Sequence, residues 1–251
     1  MFNIGINLNT AINVLINVFS SFIWLLIGSL FLYFLKLIVI IKPIKRLWNI
    51  KSPKNLIICA ATSTETDTGK YNRPATGIGQ LRALAYCVES LSKAYDIQIR
   101  NILLSVDQIQ DQIENDIILL GGPKNNEKTK SFLNKISSMK IVDQDKNTIK
   151  WMANDIYVEY EGQAIDNIIK KDYGLIIRMK NPFDSKEKST ICLFSGSHTY
   201  GTIAAAKYFS SYYIKQMKFF NRENKNIAMI VGCDVQDGYP VNIKLEKKYE
   251  F

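Results

Sequence analysis

The sequence predicts an α/β fold behind an N-terminal transmembrane helix, with a mostly parallel sheet, helices on both faces and a small antiparallel extension. Three observations predict it. From Met1 to Leu35 there is no charged side chain, and the apolar zone runs on to Ile41 with Lys36 as its one charge. Beyond residue 55, short apolar runs enter glycine-containing polar loops that lead into segments with helical spacing. Between Asn147 and Lys180 apolar and polar residues partly alternate instead. The expected division is a membrane anchor over 1–41, a basic juxtamembrane linker over 42–55 and an α/β domain over 56–251.

The anchor comes first. A bilayer core of ~30 Å needs ~20 mostly apolar helical residues. Ala11 to Ile41 is 31 residues, or ~46 Å of helix at 1.5 Å per residue, which is overlong for one upright span and short for two. One tilted span is expected. No basic n-region or small-residue cleavage site marks a removable signal peptide. Asn13 and Asn17 are four apart and share one helix face. They serve interfacial solvation on one reading and an interhelix contact in a homo-oligomer on the other.

All six basic residues of 1–55 (Lys36, Lys42, Lys45, Arg46, Lys51, Lys54) follow or end the span, and no acid accompanies them. By the positive-inside rule the chain is single-pass in the cell membrane, with its N-terminus outside and the C-terminal domain in the cytoplasm. The remainder balances 26 basic against 23 acidic residues, and no basic face with interleaved aromatics points to nucleic acid. Cys59, Cys87, Cys192 and Cys233 lack CxxC spacing and read as buried free thiols in a reducing compartment. With His198 as the only histidine, no metal site is expected.

In the domain, Asn55 to Ala61 reads as a buried strand, Thr62 to Thr76 as a polar loop, and Gly77 to about Tyr95 as a helix with Leu81, Leu84, Val88 and Leu91 on one face. Ile99 to Leu104 reads as a strand and Asp107 to Asn115 as a helix-like connector. Asp116 to Leu120 is a further strand, entering Gly121-Gly-Pro-Lys-Asn-Asn126 and a helix over Glu127 to Met139. Tyr173 to Met179 is a strand of the alternating region, and Thr190 to Phe194 another. Ser195-Gly-Ser-His-Thr-Tyr-Gly-Thr202 then feeds a helix through Ala204 to about Met217. Ile227 to Val231 and Val241 to Leu245 are late strands joined across Asp237-Gly238.

In open α/β sheets, ligands bind beyond the carboxyl ends of the strands. Three loops gather there, each feeding a helix N-terminus whose free N–H groups and dipole suit an anion. The first offers Thr62, Arg73, Gly77 and Gly79, with Glu65 and Asp67 as candidate catalytic carboxylates. The second offers Gly121, Gly122, Lys124 and Asn126. The third offers Ser195, Gly196, Ser197, His198, Thr199, Gly201 and Thr202. It is neither a Walker motif nor G-x-G-x-x-G, and no cofactor is expected. His198 is either a general base at the cleft mouth or a plain ligand contact. The glycines are either ligand cradles or tight turns.

The anchor, the basic collar and strand-to-glycine-loop-to-helix units such as Phe194-Ser-Gly-Ser-His-Thr-Tyr-Gly-Thr202 resemble the Rossmann-like sensor domains of membrane-anchored prokaryotic effectors, some of which bind nucleotide second messengers. The resemblance covers the architecture of about residues 12–245. It implies a Rossmann-like domain that senses a small anionic ligand, such as a nucleotide, and signals to an oligomeric membrane helix. Two readings stand beside it: a membrane-tethered enzyme processing a nucleotide or nucleoside in the same cleft, and an anchored scaffold without ligand.

Overall fold

The computed structural model describes residues 8–67, 69–70, 72–97, 102–105, 112–213 and 225–251. The chain forms two compact units, Met1–Pro43 and Ile44–Phe251.

The first unit holds α1 (Leu8–Lys36) and a π-helical stretch, Leu37–Ile41, after which α2 (Lys42–Trp48) begins. The side chains from Ile12 to Lys36 are exposed all round, including Phe19, Trp24 and Leu32. Two hydroxyls are satisfied locally: Ser21 Oγ donates to the Asn17 carbonyl and Ser29 Oγ to that of Leu26, both at 2.8 Å. This is one N-terminal helix long and apolar enough to span a membrane.

The second unit is built on an eight-stranded mixed sheet. Its strands are β1 (Ile57–Ala60), β4 (Ile102–Leu104), β5 (Ile117–Leu120), β9 (Gln163–Ile165), β10 (Ile168–Lys180), β11 (Thr190–Gly196), β12 (Ile227–Gln236) and β13 (Tyr239–Glu250). The order is β13-β12-β10-β11-β5-β1-β4, with β9 paired to β10. From β11 through β5 and β1 to β4 every pairing is parallel. From β11 through β10 and β12 to β13 every pairing is antiparallel.

Consecutive strand residues point to opposite faces, so both faces of the central strands must be covered. On one face Ile58, Ile118, Leu120, Ile176 and Phe194 meet α3 (Ile78–Ser92), α5 (Thr199–Lys207) and the end of α2. On the other, Ile57, Ile117, Leu119, Leu175 and Leu193 meet α4 (Glu127–Ile136) and a small sheet of β6 (Val142–Asp145), β7 (Thr148–Trp151) and β8 (Val158–Glu161).

Three expectations change. The antiparallel part is half of the sheet, not a small extension. Burial on both faces makes a strand read as a continuous apolar run, whichever way it points, so β12 looks in sequence like a parallel strand, while β10 falls in the region read as antiparallel and pairs that way. The expected loop over 62–76 contains a hairpin, β2 (Thr64–Asp67) with β3 (Asn72–Ala75). The expected linker over 42–55 is largely core: Ile44, Leu47, Trp48 and Ile50 are all buried. Trp48 meets Phe194 and Phe209 edge-on at 5.8 and 5.1 Å, and its indole N–H donates to Ser90 Oγ at 3.0 Å. Arg178 of β10 donates to the carbonyls of Arg46 and Leu47, and buried Asp116 accepts from the backbone N–H groups of Lys51, Ser52 and Thr190 at 2.7–2.8 Å. The expected strand residues 99–101, connector residues 107–111 and the helix beyond residue 213 lie outside the described residues.

Candidate functional site at the sheet's switch point

The chain leaves β1 through α3 on one face to reach β4, and leaves β5 through α4 on the other face toward β11. Between the two exits a crevice opens above the carboxyl ends of the parallel strands. A cleft of about 500 Å³ occupies it. Ile78 and Gln80 line it after β1, Gly122, Lys124 and Asn125 after β5, and Gly196, Ser197, His198, Thr199, Tyr200 and Thr202 after β11. Lys146 and Asn147, from the β6–β7 turn, and Ile169 of β10 complete it.

Seven of the sequence-derived candidates therefore line the cleft: Gly122, Lys124, Gly196, Ser197, His198, Thr199 and Thr202. The others support it or lie elsewhere. Thr62 donates its N–H to Ser105 Oγ and accepts from that hydroxyl, both at 3.1 Å, tying the first loop to the end of β4. Gly121, at φ 102°, turns the chain after β5 where a side chain would be strained. Asn126 is fully buried as the N-cap of α4; its Oδ1 accepts from Lys128 and Thr129, and its Nδ2 donates to the Leu120 carbonyl. Ser195 is buried with its hydroxyl donated to Gln144 Oε1. Gly79 lies against Thr199, where a Cβ would meet Cγ2 at 2.5 Å, and so lets α3 and α5 start side by side. Gly201 lies on the Tyr173 carbonyl, bringing the first turn of α5 onto β10. Gly77 is the N-cap position of α3, Arg73 is exposed on β3, and the side chains of Glu65 and Asp67 lie outside the described residues.

The three helix N-termini are not equivalent, contrary to the sequence expectation. That of α4 is filled by Asn126. That of α5 is filled by Asp172 of β10, a wholly buried carboxylate that accepts from the N–H of His198 at 3.1 Å and of Gly201 at 2.6 Å, and from its neighbour Tyr173 at 2.9 Å. Among the described residues, α3, starting at Gly77, has no side-chain cap. Beside it the Oε1 of Gln80, a residue with 9% of its surface exposed, has no hydrogen-bond partner among the described residues.

His198 lies above Asp172. Its Nδ1 is 3.4 Å from Asp172 Oδ1, a contact that becomes an ion pair when the imidazole is protonated. Its Nε2 is 3.5 Å from the amide nitrogen of Asn147. The Asp172 carboxylate raises the imidazole above its ordinary value; burial opposes this, Glu161 adds to it and Lys124 subtracts. The lining thus carries Lys124, Lys146 and His198 and, among the described residues, no carboxylate. Among the described residues nothing resembling an activated nucleophile accompanies them. Ser197 Oγ donates to the Tyr160 carbonyl at 3.2 Å, and burial pushes the Cys192 and Cys233 thiols up to about 12. Among the described residues no group of three His, Cys, Asp or Glu could hold a metal ion.

Sequence reasoning missed Gln80, Asn147, Lys146 and Asp172. One of them left a signal: Asp172 is a carboxylate entering a strand that is otherwise buried on both faces. Comparison with family models, curated proteins and solved structures finds no match.

Proposed function

We propose that the Ile44–Phe251 unit is a Rossmann-like sensor that binds a small anionic ligand of the nucleotide class in the switch-point cleft. Helix α1 holds it at the cell membrane as a single-pass anchor, N-terminus outside and α/β unit in the cytoplasm, and ligand binding is transmitted to an assembly of such helices. The observation that carries the reading is the charge of the lining, three basic side chains with no carboxylate among the described residues, beside the one helix N-terminus of the three that has no internal cap. The volume of about 500 Å³ falls within the ~300–1,000 Å³ of small-molecule sites.

The test is calorimetric titration of the full chain in lipid nanodiscs with nucleotides and phosphorylated metabolites. Saturable binding that falls about tenfold or more in Lys124→Ala or Lys146→Ala supports the reading. No binding of any anion leaves only an anchored scaffold. A second reading rests on the Asp172–His198 pair, which also suits a general base acting on a bound nucleotide. Turnover of nucleotide that His198→Ala abolishes would replace the sensor with an enzyme. Placement of a C-terminal reporter on the outer side would overturn the topology.

A further inference from the structure

We propose that the cleft takes a terminal phosphate, as a phosphomonoester or diphosphate, on a cradle of Lys124, Lys146 and the imidazolium of His198, with Asp172 as the residue that positions and charges the imidazole. This rests on the anionic-ligand reading above and names the chemical class of its ligand.

The geometry around His198 carries it. With one proton, on Nδ1 toward Asp172, the ring leaves Nε2 free to accept from the Asn147 amide 3.5 Å away. With two protons, Nε2 no longer accepts from the Asn147 N–H, and the two donors face each other unless the amide turns its oxygen inward. An oxygen of a bound oxyanion in the cleft accepts from both, so protonation and anion binding favour each other. The ring has little room to turn aside. It lies against Gly162, where an added Cβ would strike the imidazole and meet Asp172 Oδ1 at 2.9 Å.

The charges agree. The groups acting on His198 are Asp172 from β10, Glu161 from β8 and Lys124 from the β5–α4 loop, while Lys146 from the β6–β7 turn lines the same cleft. Three cations set against the Asp172 carboxylate beneath and the exposed Glu161 beyond the lining leave a positive surplus, which favours a phosphate dianion over a singly charged phosphodiester. Gln80 adds a second requirement. Its buried, unpartnered Oε1 at the mouth of α3 accepts a hydrogen bond that no described protein group supplies. The ligand therefore brings a donor as well, as the hydroxyl or amine of a nucleoside or sugar phosphate does.

The experiment compares four probes by calorimetry on the full chain in nanodiscs. Adenosine 5′-monophosphate binds about tenfold more tightly at pH 7.5 than adenosine 3′,5′-cyclic monophosphate, a gap of one charge-assisted contact, and adenosine binds more weakly still. Inorganic sulfate keeps its charge between pH 5.5 and 8.5, so any pH dependence of its binding belongs to the protein. Sulfate affinity falls as pH rises in the native chain, and the dependence disappears in His198→Gln. In Asp172→Asn it moves to lower pH, which a merely structural carboxylate would not cause. Should that variant fail to fold, Asn147→Ala tests the same cradle, weakening sulfate at low pH more than at high pH. Equal binding of monoester and diester, or pH-independent sulfate binding, overturns this inference and leaves the anionic-ligand reading standing. Binding of none of the charged probes overturns both.

Discussion

The beginnings of α5 and α3 lie side by side above the same sheet and have opposite electrostatic fates. At α5 the backbone donors are met from inside the fold, by a carboxylate that β10 delivers from below. At α3 the cap position is Gly77, and no side chain accepts from the first turn. Both starts are glycine-rich and both would be taken from sequence as anion cradles. The difference teaches that a glycine-rich loop makes a helix end approachable, while the supply of internal acceptors decides whether it is free. With glycine at the cap position the missing acceptor costs α3 about 0.3 kcal/mol, which a ligand anion offsets when it binds.

The comparison can be broken most severely at its filled end. Asp172→Ala removes the acceptor from one buried and two part-buried backbone donors, and a loss of about 3 kcal/mol is expected from the unsatisfied groups. Urea denaturation of the full chain measures it, and hydrogen exchange at Gly201 should accelerate with it. A loss under about 1 kcal/mol would mean that the carboxylate does not organise the turn.

Asn126→Ala should cost about 2 kcal/mol through the lost cap and the bared Leu120 carbonyl, with ligand affinity unchanged because the side chain faces the core. A matching fall in affinity would move the second loop from support into contact. The Asp172–His198 pair gives a smaller, pH-dependent effect. The folded imidazole titrates above its unfolded value, so the stability it adds is complete below the ordinary imidazole range and is lost as pH rises through the raised folded value. Melting temperatures of the native chain and His198→Gln should therefore differ most near pH 5.5 and converge above pH 8; a constant difference would separate the pair from proton binding. The smallest change is expected at the open end. Gly77→Ser, which supplies α3 with a cap, should raise stability by only about 0.3 kcal/mol yet weaken anion binding, and unchanged binding would show that the α3 end takes no part.

How much of this was legible beforehand follows the same divide between local and delivered chemistry. The parallel strands β1, β5 and β11 announce themselves because each apolar run is followed at once by its own turn and helix. The antiparallel half does so only in part: Tyr173 to Met179 belongs to the alternating region that signals antiparallel pairing, whereas Ile227 to Val231 is apolar through burial on both faces, which says nothing of direction. In the site, the third loop could be found from composition alone, its hydroxyls and histidine being contiguous. Lys146 and Asn147 come from a turn of a separate small sheet, and their sequence surroundings are those of any exposed hairpin. The cap on α5 comes from a residue 26 positions before His198, so no pattern around the helix could have disclosed that its end is occupied.

The buried position of Trp48 has a consequence for how the protein can be divided. The charge pattern suggests that cutting after the basic collar would release an intact soluble domain. Such a fragment, starting at residue 56, would lose Ile44, Leu47, Trp48 and Ile50 from the core and leave Phe194 and Phe209 facing a vacant trough. Emptying a site of this size costs about 3–5 kcal/mol for the tryptophan alone, a large share of the ~5–15 kcal/mol that holds a typical domain together. A protease that severs the chain between collar and domain therefore dismantles the α/β unit instead of liberating it, because the stretch that follows the long apolar helix is part of the fold.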